Sequence, residues 1–156
     1  MSGQQSTPQV NPPRFRQADI AGTYAYRFSG FSTTILTPFK LAGLGQFLIT
    51  DSGGLTGSQR TSIMALKGQG ASLLSGGYSL NGTITLQPDG TGTATIRFNK
   101  TCGNGVDVID GEFFVHVGGT PDRLWLLSSL LSQNSSAEAN ELVEVEAVRL
   151  VSQWDS

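Results

Sequence analysis

The chain has 156 residues and a net charge of −2, which suits one domain of roughly 100 to 200 residues with a single core. Only 14% of the residues are charged, against about 25% in an average soluble protein, and 20 are glycine, nearly twice the usual share of about 7%. One cysteine and one histidine exclude an internal disulfide and the usual His/Cys metal sites, and no run approaches the ~20 apolar residues that span a bilayer. We therefore expect no metal, no cofactor and no membrane span.

Charge is unevenly distributed along the chain. Residues 1–100 hold eight Lys/Arg against three Asp/Glu, and residues 101–156 hold two against nine. Two domains with separate partners would explain this split, but complementary charges on neighbouring strands of one sheet explain it more simply. No basic cluster with interleaved aromatic residues is present, so we expect no nucleic-acid partner.

The first residues have the composition of an arm. Residues 1–17 contain three prolines among polar residues and no apolar stretch that could serve as a signal-peptide core. We predict a flexible arm at 1–17, a single domain at 18–156 and a cytoplasmic location. The alternative for the arm is that it lies across one end of the fold.

From Ile20 onward, short runs of β-branched and aromatic residues alternate with glycine, which is typical of antiparallel strands. The predicted strands are 22–30, 41–50, 55–67, 73–80, 83–87, 91–98, 106–117, 124–131 and 142–151. The predicted turns are 51–54, 81–82, 88–90 and 118–122, and Asn81-Gly82 is the strongest hairpin signal because both residues accept positive φ. Segments 122–132 and 138–151 also contain helix-forming patterns, so a helix in one of them is the alternative.

Eight or nine strands joined by hairpins near every tenth residue fit an up-and-down barrel or a sandwich. Three lysines, and no proline between Phe39 and Gln87, would do little to protect free strand edges. We therefore predict an all-β fold, an antiparallel up-and-down β-barrel of about eight strands, with most glycines at strand ends and turns.

The glycine spacing also resembles a known group of proteins. Gly22-x-Tyr24-x-Tyr26, Gly45-x-Phe47, and Gly77-Tyr78 followed by Asp89-Gly90-x-Gly92 are similar to the pattern of small lipocalin-like and allene oxide cyclase-like β-barrels. The resemblance covers about residues 20–98, and Tyr24 stands where a lipocalin has the tryptophan of its Gly-x-Trp signature. It implies a barrel whose members include ligand carriers and cofactor-free cyclases, and it implies no catalytic residue.

An eight-stranded barrel is wide enough either to fill with side chains or to enclose one small ligand. We predict an apolar pocket in the lumen, with tyrosine hydroxyls that orient the polar end of a ligand. The predicted ligand-binding residues are Phe28, Phe47, Tyr78, Phe114 and Trp125. The alternative is that these rings only fill the core, and a lumen cavity below the ~300 Å³ typical of ligand pockets would count against both a carrier and an enzyme.

A second candidate site depends on which face of one strand points inward. Asp110, Glu112, Phe114 and His116 share one face. If this face lines the lumen, Glu112 and His116 form an acid/base pair, and the pKa of an ordinary histidine suits that role. If it is the outer face, they are solvated residues and the more apolar opposite face fills the core.

The expected function combines these features. We expect the lumen to bind an apolar small molecule and to act as a cofactor-independent cyclase or isomerase, in which the walls hold a flexible substrate in a reactive conformation. Its predicted catalytic residues are Tyr24, Tyr26, Glu112 and His116. The alternatives are a lipocalin-like carrier without catalysis and a filled barrel that serves as an assembly module, and a homodimer is compatible with each.

Overall fold

The computed structural model describes residues 14–34, 37–65, 73–133, 137–138 and 140–151, so most of the predicted arm lies outside the described residues. A 3-10 helix at Gln17–Ile20 precedes nine strands. The strands are β1 (Gly22–Thr34), β2 (Thr37–Ile49), β3 (Gly54–Ala65), β4 (Leu74–Leu86), β5 (Thr91–Gly103), β6 (Val108–Val117), β7 (Arg123–Gln133), β8 (Ala137–Glu138) and β9 (Asn140–Arg149). Within this part of the chain, no helix has the length and apolar character needed to cross a bilayer.

Eight of these strands close into one antiparallel barrel. The strands from β1 to β7 pair in sequence order, β9 pairs with both β7 and β1, and the two-residue strand β8 lies beside β7. The prediction of an up-and-down barrel of about eight strands is therefore confirmed. The two segments with helix-forming patterns are strands β7 and β9, because ring closure requires both to pair along their length.

The wall follows the two-residue period of a strand. On β5, Ala94, Ile96 and Phe98 are buried in the barrel, and the residues between them are exposed. On β6, Phe113 and Val115 are buried in the same way. Burial of the apolar face therefore sets the orientation of each strand.

The hairpin predicted at Asn81-Gly82 is wrong. Strand β4 runs through both residues without a break and pairs with β3 on one side and β5 on the other. Leu80 and Ile84 are both buried, so the apolar face continues past Gly82 at the same two-residue period, while Asn81 is exposed. A turn at Asn81-Gly82 would reverse the chain and take part of this apolar face out of the core. The free energy gained by burying the whole face outweighs the local preference of these two residues for a turn.

The placement of the glycines also differs from expectation. Gly53, Gly90 and Gly119 have positive φ in turns, as predicted. Gly43 and Gly45, however, lie within β2, where a Cβ at Gly45 would meet the ring of Tyr26. These glycines make room for the rings of their partners on the neighbouring strand β1, Phe28 opposite Gly43 and Tyr26 opposite Gly45, and this role requires the tertiary structure.

The uneven charge of the two halves corresponds to ion pairs between neighbouring strands. Arg97 on β5 pairs with Asp110 on β6 at 2.7 Å from Nε to Oδ1, and Arg27 on β1 pairs with Glu146 on β9 at 3.0 Å. Both pairs lie on the outer wall, where each contributes about 0–1 kcal/mol. The charge split therefore reflects complementary strands of one sheet, as predicted.

Candidate functional site in the barrel lumen

At one end of the barrel, which we call the closed end, buried side chains fill the interior. The largest fully buried side chains lie here, each less than 2% exposed: Ile20, Tyr24, Ile49, Leu55, Ile84 and Leu124. The 3-10 helix lies across this end, since the side-chain oxygen of Gln17 accepts a hydrogen bond from the Leu86 amide at 2.9 Å. The Phe15 amide donates to the Pro88 carbonyl, also at 2.9 Å. The described part of the predicted arm, residues 14–17, therefore lies against the barrel.

Tyr24 and Arg149 hold the closed end together. The Tyr24 hydroxyl donates to the Ile20 carbonyl at 2.8 Å, and Arg149 Nη1 donates to the carbonyls of Asp19 and Ala21 at 2.8 and 2.9 Å. The guanidinium lies 5.9 Å from the centre of the Tyr24 ring. Burial raises the pKa of Tyr24 to about 12, although the charge of Arg149 opposes the rise. Tyr24 is therefore a neutral hydrogen-bond donor, and its proton is already engaged.

The rest of the lumen encloses a cavity of about 270 Å³ that extends from Tyr26 to the opposite end. We call that opposite end, which carries Ser32, Leu74 and Glu141, the mouth. Three of the predicted ligand-binding residues, Phe28, Phe47 and Tyr78, line the cavity, together with a wall that is mostly aliphatic and aromatic.

The size of the cavity limits what it can hold. Its volume is slightly below the ~300 Å³ that would mark a small ligand pocket. The cavity therefore falls slightly short of the volume expected for a ligand pocket, which counts against a ligand of ordinary size, so any ligand must be compact. The support for a ligand site comes from the polar groups in the wall.

A chain of hydrogen bonds runs along one side of the cavity. The Tyr26 hydroxyl donates to Gln59 Oε1 at 2.7 Å, and Gln59 Nε2 donates to Thr61 Oγ1 at 2.9 Å. Burial raises the pKa of Tyr26, so this phenol stays protonated across the physiological range. Buried amide and hydroxyl groups are costly in an apolar core unless they are paired. Here they are paired with one another and present polar atoms to the cavity wall.

The sequence contained a signal for Gln59 and Thr61 that went unused. Both residues share the face of β3 that carries Leu55 and Ile63, and this is the face that lines the lumen. Polar residues on the apolar face of a strand are the informative exception to core patterning.

A second polar group lies near the mouth. Ser32 on β1 is paired with Glu141 on β9, is only 4% exposed, and faces the cavity with it. On the other side, Tyr78 and Val106 line the cavity. Burial raises the pKa of Tyr78, and the negative charge of Glu141 adds to the rise.

The remaining predicted site residues lie outside the barrel. Phe114 and Trp125 are 58% and 49% exposed, and Glu112 and His116 share their outer face, so none of the four lines the lumen. The reason is that the opposite, more apolar face of β6 fills the core. The lumenal acid/base pair is therefore not formed, and the outer-face alternative is the observed one.

The structure does bring three of these outer residues together. The rings of His116 and Trp125 stack with their centres 6.3 Å apart, and His116 Nδ1 lies 2.7 Å from the Val117 carbonyl oxygen. With Phe114 they border an open depression of about 1040 Å³ on the outer wall. Among the described residues, no three His, Cys, Asp or Glu side chains are grouped as a metal site would require.

Comparison with known proteins gives no family for this chain. No protein-family model and no curated protein matches the sequence. A solved structure, the crystal structure of Rv2717c from M. tuberculosis, is similar over 86% of this chain and 94% of that one, with 12% identity and a TM-score of 0.34. A likeness this low carries no argument about ligand or activity.

Proposed function

We propose that this protein binds a compact apolar molecule in the lumen of its barrel and shields it from water. The supporting observation is the 270 Å³ cavity, whose apolar wall is interrupted by the connected polar groups of Tyr26, Gln59 and Thr61. Contact with the apolar wall contributes about 25 cal/mol to the free energy of binding for each Å² of apolar surface removed from water, before the costs of association are subtracted. A few placed polar groups supply orientation.

A carrier is better supported than a cyclase or isomerase. The hydroxyl protons of Tyr24 and Tyr26 are already donated to other protein groups, and Glu112 and His116 lie outside the lumen. Catalysis would then depend on the walls alone to hold the substrate in a reactive conformation. Of the two resemblances in the sequence, the lipocalin-like one agrees with this proposal, and the cytoplasmic location stays a prediction.

The test is a titration of the protein with 1-hexanol and with indole, followed by NMR chemical shifts and calorimetry. We expect saturable binding at one site. Val143→Phe places a ring in the cavity, while Val148→Phe makes the same change on the outer face of the same strand, where Val148 is 42% exposed. We expect Val143→Phe to weaken binding at least about tenfold, which is 1.4 kcal/mol, and Val148→Phe to leave it within about twofold.

The opposite results would favour the other functions. If neither probe binds to the folded protein, or if Val143→Phe leaves the affinity unchanged, the lumen is not a binding site and the filled-barrel assembly module is favoured. If a bound compound is converted to product, and Val143→Phe stops the conversion, the barrel is a cyclase or isomerase.

A further inference from the structure

The chain of hydrogen bonds along the cavity wall has one direction, and Tyr26 sets it. Burial raises the pKa of this phenol, so the hydroxyl keeps its proton and donates it to Gln59 Oε1 at 2.7 Å. The same amide then presents Nε2 to Thr61, and an amide nitrogen donates but does not accept. Thr61 Oγ1 is therefore the acceptor, at 2.9 Å, and both hydrogen bonds donate in the direction from Tyr26 toward Thr61.

This chain of hydrogen bonds ends on protons that have no acceptor. Among the described residues, none accepts the Thr61 hydroxyl proton or the second N–H of Gln59. Thr61 is only 9% exposed and lines the cavity, so its hydroxyl belongs to the lumen and not to the outer surface. A buried donor without an acceptor costs free energy. The lumen therefore has a place for a hydrogen-bond acceptor beside Thr61.

The rest of the wall limits the charge of that acceptor. The lining residues that the structure describes include no Lys, Arg or His, and most of them are aliphatic or aromatic. A carboxylate here would lose its hydration without gaining an ion pair, which costs far more than burying a neutral carbonyl group. An alcohol accepts as well, but it brings a proton that needs an acceptor of its own, whereas a carbonyl oxygen brings none.

From these observations we infer that the lumen binds a compact, uncharged carbonyl compound, such as a ketone, an aldehyde or an ester. Its oxygen accepts a hydrogen bond from Thr61, and its hydrocarbon part lies against the apolar wall. This inference rests on the proposed function, because it specifies the ligand of the same cavity. It makes Tyr26 and Gln59 positioning residues, since they occupy a lone pair of the Thr61 oxygen and leave its proton for the ligand.

The test uses three probes of nearly the same size and shape, which are 2-hexanone, 2-methyl-1-hexene and pentanoate. In the alkene a methylene group replaces the carbonyl oxygen, and in pentanoate a charged oxygen replaces the methyl group. Affinities are measured at pH 7 by NMR titration. The parent protein should bind 2-hexanone at least about tenfold more tightly than pentanoate, because the carboxylate keeps its charge.

A substitution at Thr61 separates the hydrogen bond from the apolar contacts. Thr61→Val keeps the shape and removes the hydroxyl, so it should weaken 2-hexanone about fivefold and should not weaken 2-methyl-1-hexene. Gln59 stays bonded to Tyr26 in this variant, which keeps its amide from replacing the lost donor. Thr56→Val is the matched control, since Thr56 lies on the same strand but is exposed on the outer face, and it should leave both affinities within about twofold.

Infrared spectroscopy of the parent protein gives a measurement that needs no variant. A carbonyl group that accepts a hydrogen bond absorbs at a lower frequency than a free one. The stretching frequency of bound 2-hexanone should therefore lie below its value in hexane. A frequency equal to that in hexane would overturn the inference, and this result stands even if Thr61→Val does not fold.

The other outcomes are equally decisive. An affinity for 2-hexanone that Thr61→Val leaves unchanged, or an equal loss for 2-hexanone and the alkene, would overturn the inference and leave the proposed lumen binding intact. Pentanoate bound as tightly as 2-hexanone would do the same. If none of the three probes binds to the folded parent protein, the inference and the proposed function fail together. Circular dichroism of each variant separates these results from a loss of folding.

Discussion

The two ends of the barrel are made by the same strands, yet they differ in what their side chains do. Strand β1 supplies Tyr24 to the closed end and Tyr26 to the cavity, only two residues apart. Tyr24 donates to a backbone carbonyl beneath a layer of fully buried residues, whereas Tyr26 donates to Gln59 in a wall that borders empty space. A residue type and its strand position are therefore not enough to assign a role. Its depth along the barrel decides between structure and binding.

The closed end also explains how an open lumen is tolerated. Apolar burial is concentrated around Ile84 and Leu124, and Arg149 ties the 3-10 helix to the barrel there. The mouth can then hold polar groups and a cavity, because the packing at the other end supplies the stability. This difference can be tested by matched substitutions.

The largest expected effect comes from truncating one aliphatic residue at each end. Ile84→Ala should lower the free energy of unfolding by about 4 kcal/mol, because Ile84 is fully packed. Leu41→Ala should cost only about 2 kcal/mol, since Leu41 already borders the cavity. Urea unfolding followed by circular dichroism measures both values. Equal losses would mean that the two ends are packed alike.

The next largest effect concerns Arg149. Arg149→Met removes the hydrogen bonds to the carbonyls of Asp19 and Ala21, and we expect a loss of about 2–3 kcal/mol in urea unfolding. Arg97→Met, which breaks an exposed pair with Asp110, should cost less than about 1 kcal/mol. Affinity for 1-hexanol should change by less than about twofold in both variants. A mild Arg149→Met variant would show that the helix does not depend on this contact.

A third prediction concerns alkaline pH. Burial raises the pKa of Tyr24 from the ordinary value of 10.0, which applies to the unfolded chain, to about 12 in the folded protein. The folded state therefore holds this proton more tightly. The resulting stability is complete below pH 10 and is lost as pH rises from 10 to 12, by up to about 1.4 kcal/mol per pH unit for one tyrosine. Urea unfolding of the parent and of Tyr24→Phe at pH 8, 10 and 11 measures the slope. The variant should have the shallower slope, and identical slopes would contradict the burial of a neutral phenol.

At the cavity wall we expect a substitution to affect stability and binding to a similar extent. Tyr26→Phe leaves Gln59 Oε1 without its donor, which should cost about 1 kcal/mol in the free energy of unfolding. It should also change the affinity for 1-hexanol by several-fold, because Gln59 can then turn toward the ligand. Calorimetry measures the affinity, and an unchanged affinity would place this chain of hydrogen bonds outside the binding site.

The smallest effects are expected on the outer wall. Glu112→Gln and His116→Gln should each change stability by less than about 0.5 kcal/mol, because both side chains are exposed. Titration with 1-hexanol should give affinities within about twofold of the parent. A large loss of binding in either variant would mean that the outer face communicates with the lumen.

Much of the fold was accessible from the sequence, because alternation of apolar and polar residues reports directly on strand faces. The eight-stranded barrel and the turns at 51–54, 88–90 and 118–122 are confirmed in this way. The same reasoning failed at Asn81-Gly82, where a local turn preference of two residues competed with burial along all of β4. Glycines were expected mainly at strand ends and turns, so the space that Gly45 leaves for the ring of Tyr26 was not predicted.

The candidate site was predicted only in part. Tyr26, Phe28, Phe47 and Tyr78 line the lumen as expected, since they lie on faces whose neighbours are also apolar. Phe114 and Trp125 were assigned to the lumen by their ring type, but each lies on the outer face of its strand. Gln59, Thr61 and Glu141 were missed, because polar residues were sought as catalytic groups rather than as exceptions on an inward face.

The sequence by itself determined the all-β strand content, because this depends on short-range alternation, but it did not determine the inward face of β6 or of β7. Only the tertiary structure decided how full the barrel is and which polar groups meet inside it. Tyr26 and Gln59 are 33 residues apart and become hydrogen-bonded through the register of β1, β2 and β3. Register and closure are properties of the whole ring, so a cavity with connected polar groups on its wall could not be derived from any single strand.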